Sequence, residues 1–142
     1  MQISSRFTIA VHILTCIDYF HDDQAVTSEF LAGSIGVNAV IIRRIILQLK
    51  AAGMIDTSRG KNGMKLARSL ENITLYDVYS AVEAVSGEGL FRFHENPNPA
   101  CPVGNKIHDA LDGSLVEIQD ALEGKMRNIT LKEIAGKLSV EE

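Results

Sequence analysis

The sequence predicts a mainly α-helical fold in which a helix-turn-helix is followed by a two-stranded hairpin and, beyond a proline-rich break, by one long helix. Three observations carry that expectation. Apolar residues recur at helical spacing along most of the chain, Gly36 and Asn38 interrupt that spacing between two short helical stretches, and a glycine-rich basic segment, residues 59–63, separates two extended runs. At 142 residues and 46% hydrophobic content, the chain can bury a core of its own.

The first helix follows Ser4 and Ser5, with Phe7, Ala10, Val11, Leu14 and Ile17 on one side, until Asp18 and the polar stretch 21–24 interrupt it. Thr27 is placed to cap a short second helix, Ser28 to Ser34, because its hydroxyl can accept from an amide that the first turn leaves unpaired. Ile35-Gly36-Val37 then breaks the pattern, Asn38 offers a second cap, and a third helix runs from Ala39 to Ala52 with Gly53 just past its end. Ala32 is small where two helices must approach, Gly36 suits a positive φ in the turn, and Ile42 and Ile45 recur at the spacing that buries them against helix two. Those are the steric demands of a helix-turn-helix.

Met54 to Ser58 alternates weakly as a strand, Arg59-Gly60-Lys61-Asn62-Gly63 reads as a turn, and Met64-Lys65-Leu66 returns, which makes a hairpin with a basic tip. Thr74 caps a fourth helix, Leu75 to Val85, with Val78, Ala81, Val82 and Val85 as its apolar stripe. Phe91 to Gly104 contains all three prolines, Pro97, Pro99 and Pro102, and so cannot be regular helix. From Asn105 a long helix carries Ile107, Leu111, Leu115, Ile118 and Leu122 on one stripe and is expected to stop near Gly124. Thr130 caps a last short helix through Leu131, Ile134 and Leu138, and no internal repeat is expected. The chain therefore divides into a winged helix-turn-helix domain (1–90), a connecting loop (91–104) and a helical region (105–142).

The net charge of −4 disfavours a polyanionic partner, but it averages two unlike halves. Residues 1–70 carry 8 Lys/Arg against 5 Asp/Glu, whereas residues 71–142 carry 6 against 13. Between Arg43 and Arg68 there are 7 basic residues and one acid, Asp56. The positive field is thus concentrated on the helix-turn-helix and the hairpin, where double-stranded DNA could meet it. Burying Ile42, Ile45 and Leu49 leaves Ala39, Val40, Arg43 and Arg44 facing outward, suited to thymine methyls, guanine edges or phosphates. Ser28 and Asn38 at the two helix starts, and Arg59, Lys61 and Lys65 on the hairpin, complete the candidate DNA-binding set.

Other chemistries find no constellation. There is no Ser/His/Asp grouping, no cysteine pair at redox spacing and no phosphate loop, so neither an enzyme nor a catalytic residue is expected. Cys101 with His94 and His108 matches no metal-ligand spacing, and no metal or cofactor is expected. Cys16 reads as a core thiol. Cys101, in a loop before a helix, is a candidate redox sensor. No apolar run approaches the roughly 18 to 20 residues of a membrane span, and the N-terminus shows no signal-type segment, so a cytoplasmic protein without a membrane partner is expected.

Together these residues resemble the BadM/Rrf-type winged-helix transcriptional regulators, the family of IscR, NsrR and CymR. The resemblance rests on Ser5-Arg6-Phe7 with Ala10, on Ile45 to Leu49 followed by Ala52-Gly53-Met54-Ile55, on Ser58-Arg59-Gly60 with Leu66-Ala67-Arg68, and on Ile73 to Val78 with Ala81-Val82-Glu83. The segment His94 to Pro99 with Cys101-Pro102-Val103-Gly104 is similar to a YwnA-like branch. The resemblance implies a homodimeric repressor on an inverted-repeat operator, paired through the long helix, with Ile107, Leu111, Leu115, Ile118 and Leu122 at the interface. A small-molecule or oxidant effector is compatible with it. Members with an iron–sulfur cluster carry three cysteines between the fourth helix and the dimerisation helix; here only Cys101 lies there, which speaks against a cluster. The hairpin also passes from Gly63 directly to Met64 and Lys65, one glycine shorter than the family's wing and without its aromatic. The alternative reading is a protein-interaction module that keeps the winged-helix fold without DNA binding.

Overall fold

The computed structural model describes residues 3–20, 24–57, 63–85 and 89–138. Six α-helices are described: α1 (Arg6–Tyr19), α2 (Ser28–Ile35), α3 (Ala39–Ala51), α4 (Leu75–Ala81), α5 (Ile107–Arg127) and α6 (Leu131–Leu138). The hairpin consists of β1 (Ile55–Asp56) and β2 (Lys65–Leu66), followed by a single 3-10 turn at Leu70–Asn72. Arg59 and Lys61, expected at the wing tip, lie outside the described residues. None of the described helices is by itself long and apolar enough to cross a membrane.

The core is a cluster in which α1 supplies Ile13, Leu14 and Ile17, α2 supplies Leu31, and α3 supplies Ile42, Ile45 and Leu49, all fully buried. Cys16 is buried among them, as its apolar neighbours predict. A polar clasp joins α1 to α2, with Ser34 Oγ 3.1 Å from His12 Nε2 and 3.5 Å from Cys16 Sγ. The caps form where the side chains suggest. Phe30 N donates to Thr27 Oγ1 and Val40 N to Asn38 Oδ1, and Gly36 and Gly53 take φ of +80° and +79°.

Four expectations are corrected. The strands are shorter than predicted: among the described residues of the hairpin, Ile55 pairs with Leu66 and Asp56 with Lys65, and Met54, Thr57 and Met64 lie outside the strands. Met64 instead donates its N–H to Val26 O at 3.0 Å, so the wing base leans on the segment before α2. Helix α4 ends at Ala81, four residues early. There Glu83 adopts φ +50°, and Ala84 N and Glu83 N bond back to Tyr79 O and Ser80 O, a Schellman-type stop. Arg6 fastens that stop from α1, its Nε and Nη2 donating to Val82 O (3.2 Å) and Glu83 O (2.9 Å). Helix α5 passes through Gly124 to Arg127, because the extra turn buries Met126 and places Lys125 and Arg127 at the favourable C-terminal end of the helix dipole.

The fourth correction concerns repetition. The tetrapeptide Asn-Ile-Thr-Leu occurs twice, at 72–75 and 128–131. The two copies run antiparallel: Leu75 N donates to Ile129 O and Leu131 N to Ile73 O, both at 2.9 Å. Each threonine also caps its own helix, Thr74 with Asp77 on α4 and Thr130 with Glu133 on α6. Ile73 and Leu131 are fully buried, so the end of α5 and the start of α6 dock onto the core that α1 to α4 build.

The wing base supplies a test. A Cβ on Gly63, which has φ +72°, would lie 2.5 Å from Val26 N, whereas one on Gly36 would meet nothing within 4 Å. Gly36→Ala should therefore cost only the left-handed backbone penalty, about 1 kcal/mol, and Gly63→Ala about 2 kcal/mol or more. Denaturant unfolding of the two variants side by side checks this; equal losses would mean that the Val26 contact is irrelevant.

Candidate nucleic-acid interface

Helix α3 has two unlike faces. Ile42, Ile45 and Leu49 insert into the core, and the positions between them, Val40, Arg43, Arg44 and Leu47, form an exposed stripe at steps of three, one and three. Ala39 is half-buried at the stripe's N-terminal end. The axes of α2 and α3 meet at 112°, within the range of DNA-binding helix-turn-helix units, so the stripe projects away from the rest of the molecule. Leu47 (65% exposed) and Ile41 add apolar surface that the sequence did not single out.

Elements distant in sequence converge beside this stripe. The first turn of α2 (Ser28, Glu29), the middle of α3 (Arg43, Leu47) and the base of the wing (Gly63, Met64) surround an open cleft of about 500 Å³. Ser28 is half-buried there, and Asn38 is exposed at the start of α3 with its Oδ1 occupied by Val40 N, which leaves its amide NH₂ available. Lys65 lies half-buried on β2 opposite Asp56. Among the described residues the cleft thus brings Ser28 and Arg43 together, whereas Lys65 belongs to the hairpin behind it.

Sequence reasoning missed the partner of Arg43. Glu29 Oε1 lies 3.1 Å from Arg43 Nη2, bridging α2 and α3, with the side chains 73% and 53% exposed. The Glu29 backbone amide at the start of α2, and then the Arg43 guanidinium, hold the Glu29 carboxyl below the usual carboxylate range. It is ionised at neutral pH. The only sequence signal was its solitude, since Glu29 is the one acid between Asp23 and Asp56. Arg68, counted above in the basic cluster, is turned inward and donates to Asp77 Oδ2 (3.0 Å) and Asn72 O, bracing the cap of α4.

The long helix is also two-faced. Met126 is buried and Leu122 packs against the core, but farther up Leu111, Val116 and Ile118 are exposed, the last by 52%, and Ile107 and Leu115 are half-buried. Between α4 and α5 lies a second cleft, about 510 Å³, lined by Arg6, Tyr76, Tyr79, Gln119 and Glu123 among others. Before α5, the loop folds around Cys101: Gly104 N donates to its Sγ (3.4 Å), and Asn105 N to its carbonyl oxygen (2.9 Å). The amides of Gly104 and Val103 hold the Cys101 thiol below the ordinary thiol range. The stabilising amides belong to a local turn rather than to the helix start proposed from sequence. His108 packs against both Phe93 and His94, with 5.5 Å between the two imidazole centroids.

A family model, Rrf2, described as an iron-dependent transcriptional regulator, matches residues 3–137. YwnA of Bacillus subtilis (strain 168), named as an HTH-type transcriptional regulator, is 40% identical over 137 residues, which span 96% of this chain and 99% of that protein. A crystal structure described as that of a DNA-binding protein superposes with a TM-score of 0.72 at 35% identity, covering 92% of this chain and 98% of that one. CymR, the global cysteine regulator of B. subtilis, has a TM-score of 0.68 at 18% identity over 96% and 97% of the two chains, a likeness of fold. The iron in the family's description finds no matching donor set. The chain has two cysteines, one buried in α1 and one in the loop, and no group of three or more His, Cys, Asp or Glu among the described residues could hold a metal ion.

Proposed function

The chain belongs to the Rrf2 family of transcriptional regulators, and from that premise we propose that it acts as a homodimeric repressor, laying α3 of each protomer into the major groove of an inverted-repeat operator. It is a DNA-binding regulator of winged-helix type. The observation that carries the proposed surface is the α3 stripe, exposed opposite the three buried residues that hold the helix in place. On it, Val40 and Ala39 suit thymine methyls, and Arg43 and Arg44 suit guanine edges or phosphates. Ser28 and Asn38 can donate to the backbone from the starts of α2 and α3. On the wing side, Lys65 and the undescribed Arg59 and Lys61 suit phosphates or the minor groove.

The exposed Leu111 and Ile118, with half-buried Ile107 and Leu115 on the same stripe and Leu122 at its foot, support pairing through α5. Two-fold symmetry would set two α3 helices one DNA turn, about 34 Å, apart, which one protomer cannot do. The low-pKa thiol of Cys101 supports an oxidant as effector, and the cleft between α4 and α5 offers room for a small molecule instead.

Genomic fragments selected by the purified protein provide the operator for three measurements. Replacing both Arg43 and Arg59 with Ala should weaken operator binding by at least about 10-fold and flatten the log–log salt dependence by about one to two. Full affinity in that variant would remove the surface, and a wild type that selects no fragment but forms a stable protein complex would favour the interaction module. Leu111→Asp with Ile118→Asp should halve the mass seen by sedimentation and reduce operator affinity; a persisting dimer would reject the α5 interface. Peroxide should alter operator affinity in the wild type and leave Cys101→Ser unaffected, so equal responses would eliminate Cys101 as the switch.

A further inference from the structure

The ion pair between Glu29 and Arg43 is out of place by two ordinary criteria. Exposed as it is, it contributes little to folding. It also puts a carboxylate beside the stripe that is to approach a polyanion, and no other acid occurs from residue 24 to residue 55. A protein selected only for grip on phosphates would gain by losing it. The pair also neutralises Arg43, so an encounter with phosphates alone releases fewer counterions than a free arginine would.

The geometry shows what the carboxylate does instead. Glu29 occupies one N–H of Nη2 from the α2 side, a contact that draws the guanidinium toward α2 and leaves four of its five N–H groups for a ligand. A held plane is what bidentate recognition of guanine O6 and N7 needs, and a mobile arginine is what indiscriminate phosphate contact needs. We propose that Glu29 is a specificity-determining residue acting through Arg43: it holds the guanidinium for base reading and penalises any DNA on which Arg43 finds no base acceptors. The proposal rests on the DNA-binding reading above and adds to it the residue that discriminates between sequences.

The test uses the intact protein, the selected operator duplex and a random duplex of equal length, with wild type, Glu29→Gln, Arg43→Ala and the double variant. Glu29→Gln should raise affinity for the random duplex by about 3- to 10-fold and steepen its salt slope by about one, with a change of under about 3-fold on the operator. The operator-to-random ratio should therefore fall by about 5-fold or more. In the Arg43→Ala background the same substitution should leave that ratio unchanged, because removing a charge without a guanidinium to position affects both duplexes alike. A ratio in Glu29→Gln within about 2-fold of wild type, or an equal fall in both backgrounds, overturns the proposal while leaving the DNA-binding reading intact. A wild type without preference for any duplex overturns that reading, and this inference with it.

Discussion

The seating of α3 is the constraint on which the molecule depends. Ile42, Ile45 and Leu49 are fully buried against residues of α1 and α2, and the turn at Gly36 sets the two helices at 112°. Because α3 advances by about 100° per residue, burying those three positions leaves Val40, Arg43, Arg44 and Leu47 on the open side. The buried face and the presented face are one geometric decision. A core that shifted α3 by a single residue would turn the helix by about 100° and bury one of the two arginines.

The rest of the fold holds that decision still. Arg6 on α1 caps the end of α4, Arg68 braces its beginning through Asp77, and the paired segments 73–75 and 129–131 tie α6 to the same core. The last turn of α5 is thereby built into the domain that carries α3, with Met126 buried in it. The apolar stripe farther up α5 continues, in one unbroken helix, from a turn packed into that core.

Charge is organised by position and not by amount. A chain of net −4 presents Arg43 and Arg44 outward on α3, turns Arg6 and Arg68 to structural work, and keeps most of its acids in the second half. Glu29 is the exception, an acid within the basic half, and its pairing with Arg43 changes how that residue should be read. The likeness to YwnA covers nearly the whole of both chains, whereas the iron in the family's description has no corresponding donor set among the described residues of this one.

Much was legible in the sequence, because much of it is local. Thr27, Asn38, Thr74 and Thr130 cap helices through bonds to residues two or three positions away, Gly36 and Gly53 take the positive φ that only their own lack of a Cβ favours, and the 3.6-residue period marks the buried side of α1 and α3. These depend on neighbours in the chain, which a sequence displays directly. The early stop of α4, the salt bridge of Glu29 with Arg43, the Met64–Val26 bond and the antiparallel meeting of two Asn-Ile-Thr-Leu segments were decided only by the tertiary structure. Arg6's hold on the end of α4 and the other three join residues 14 to 77 positions apart, where partners are chosen by how the helices pack and not by spacing along the chain. The sequence by itself determined which faces exist; only the folded chain decided which of them meet.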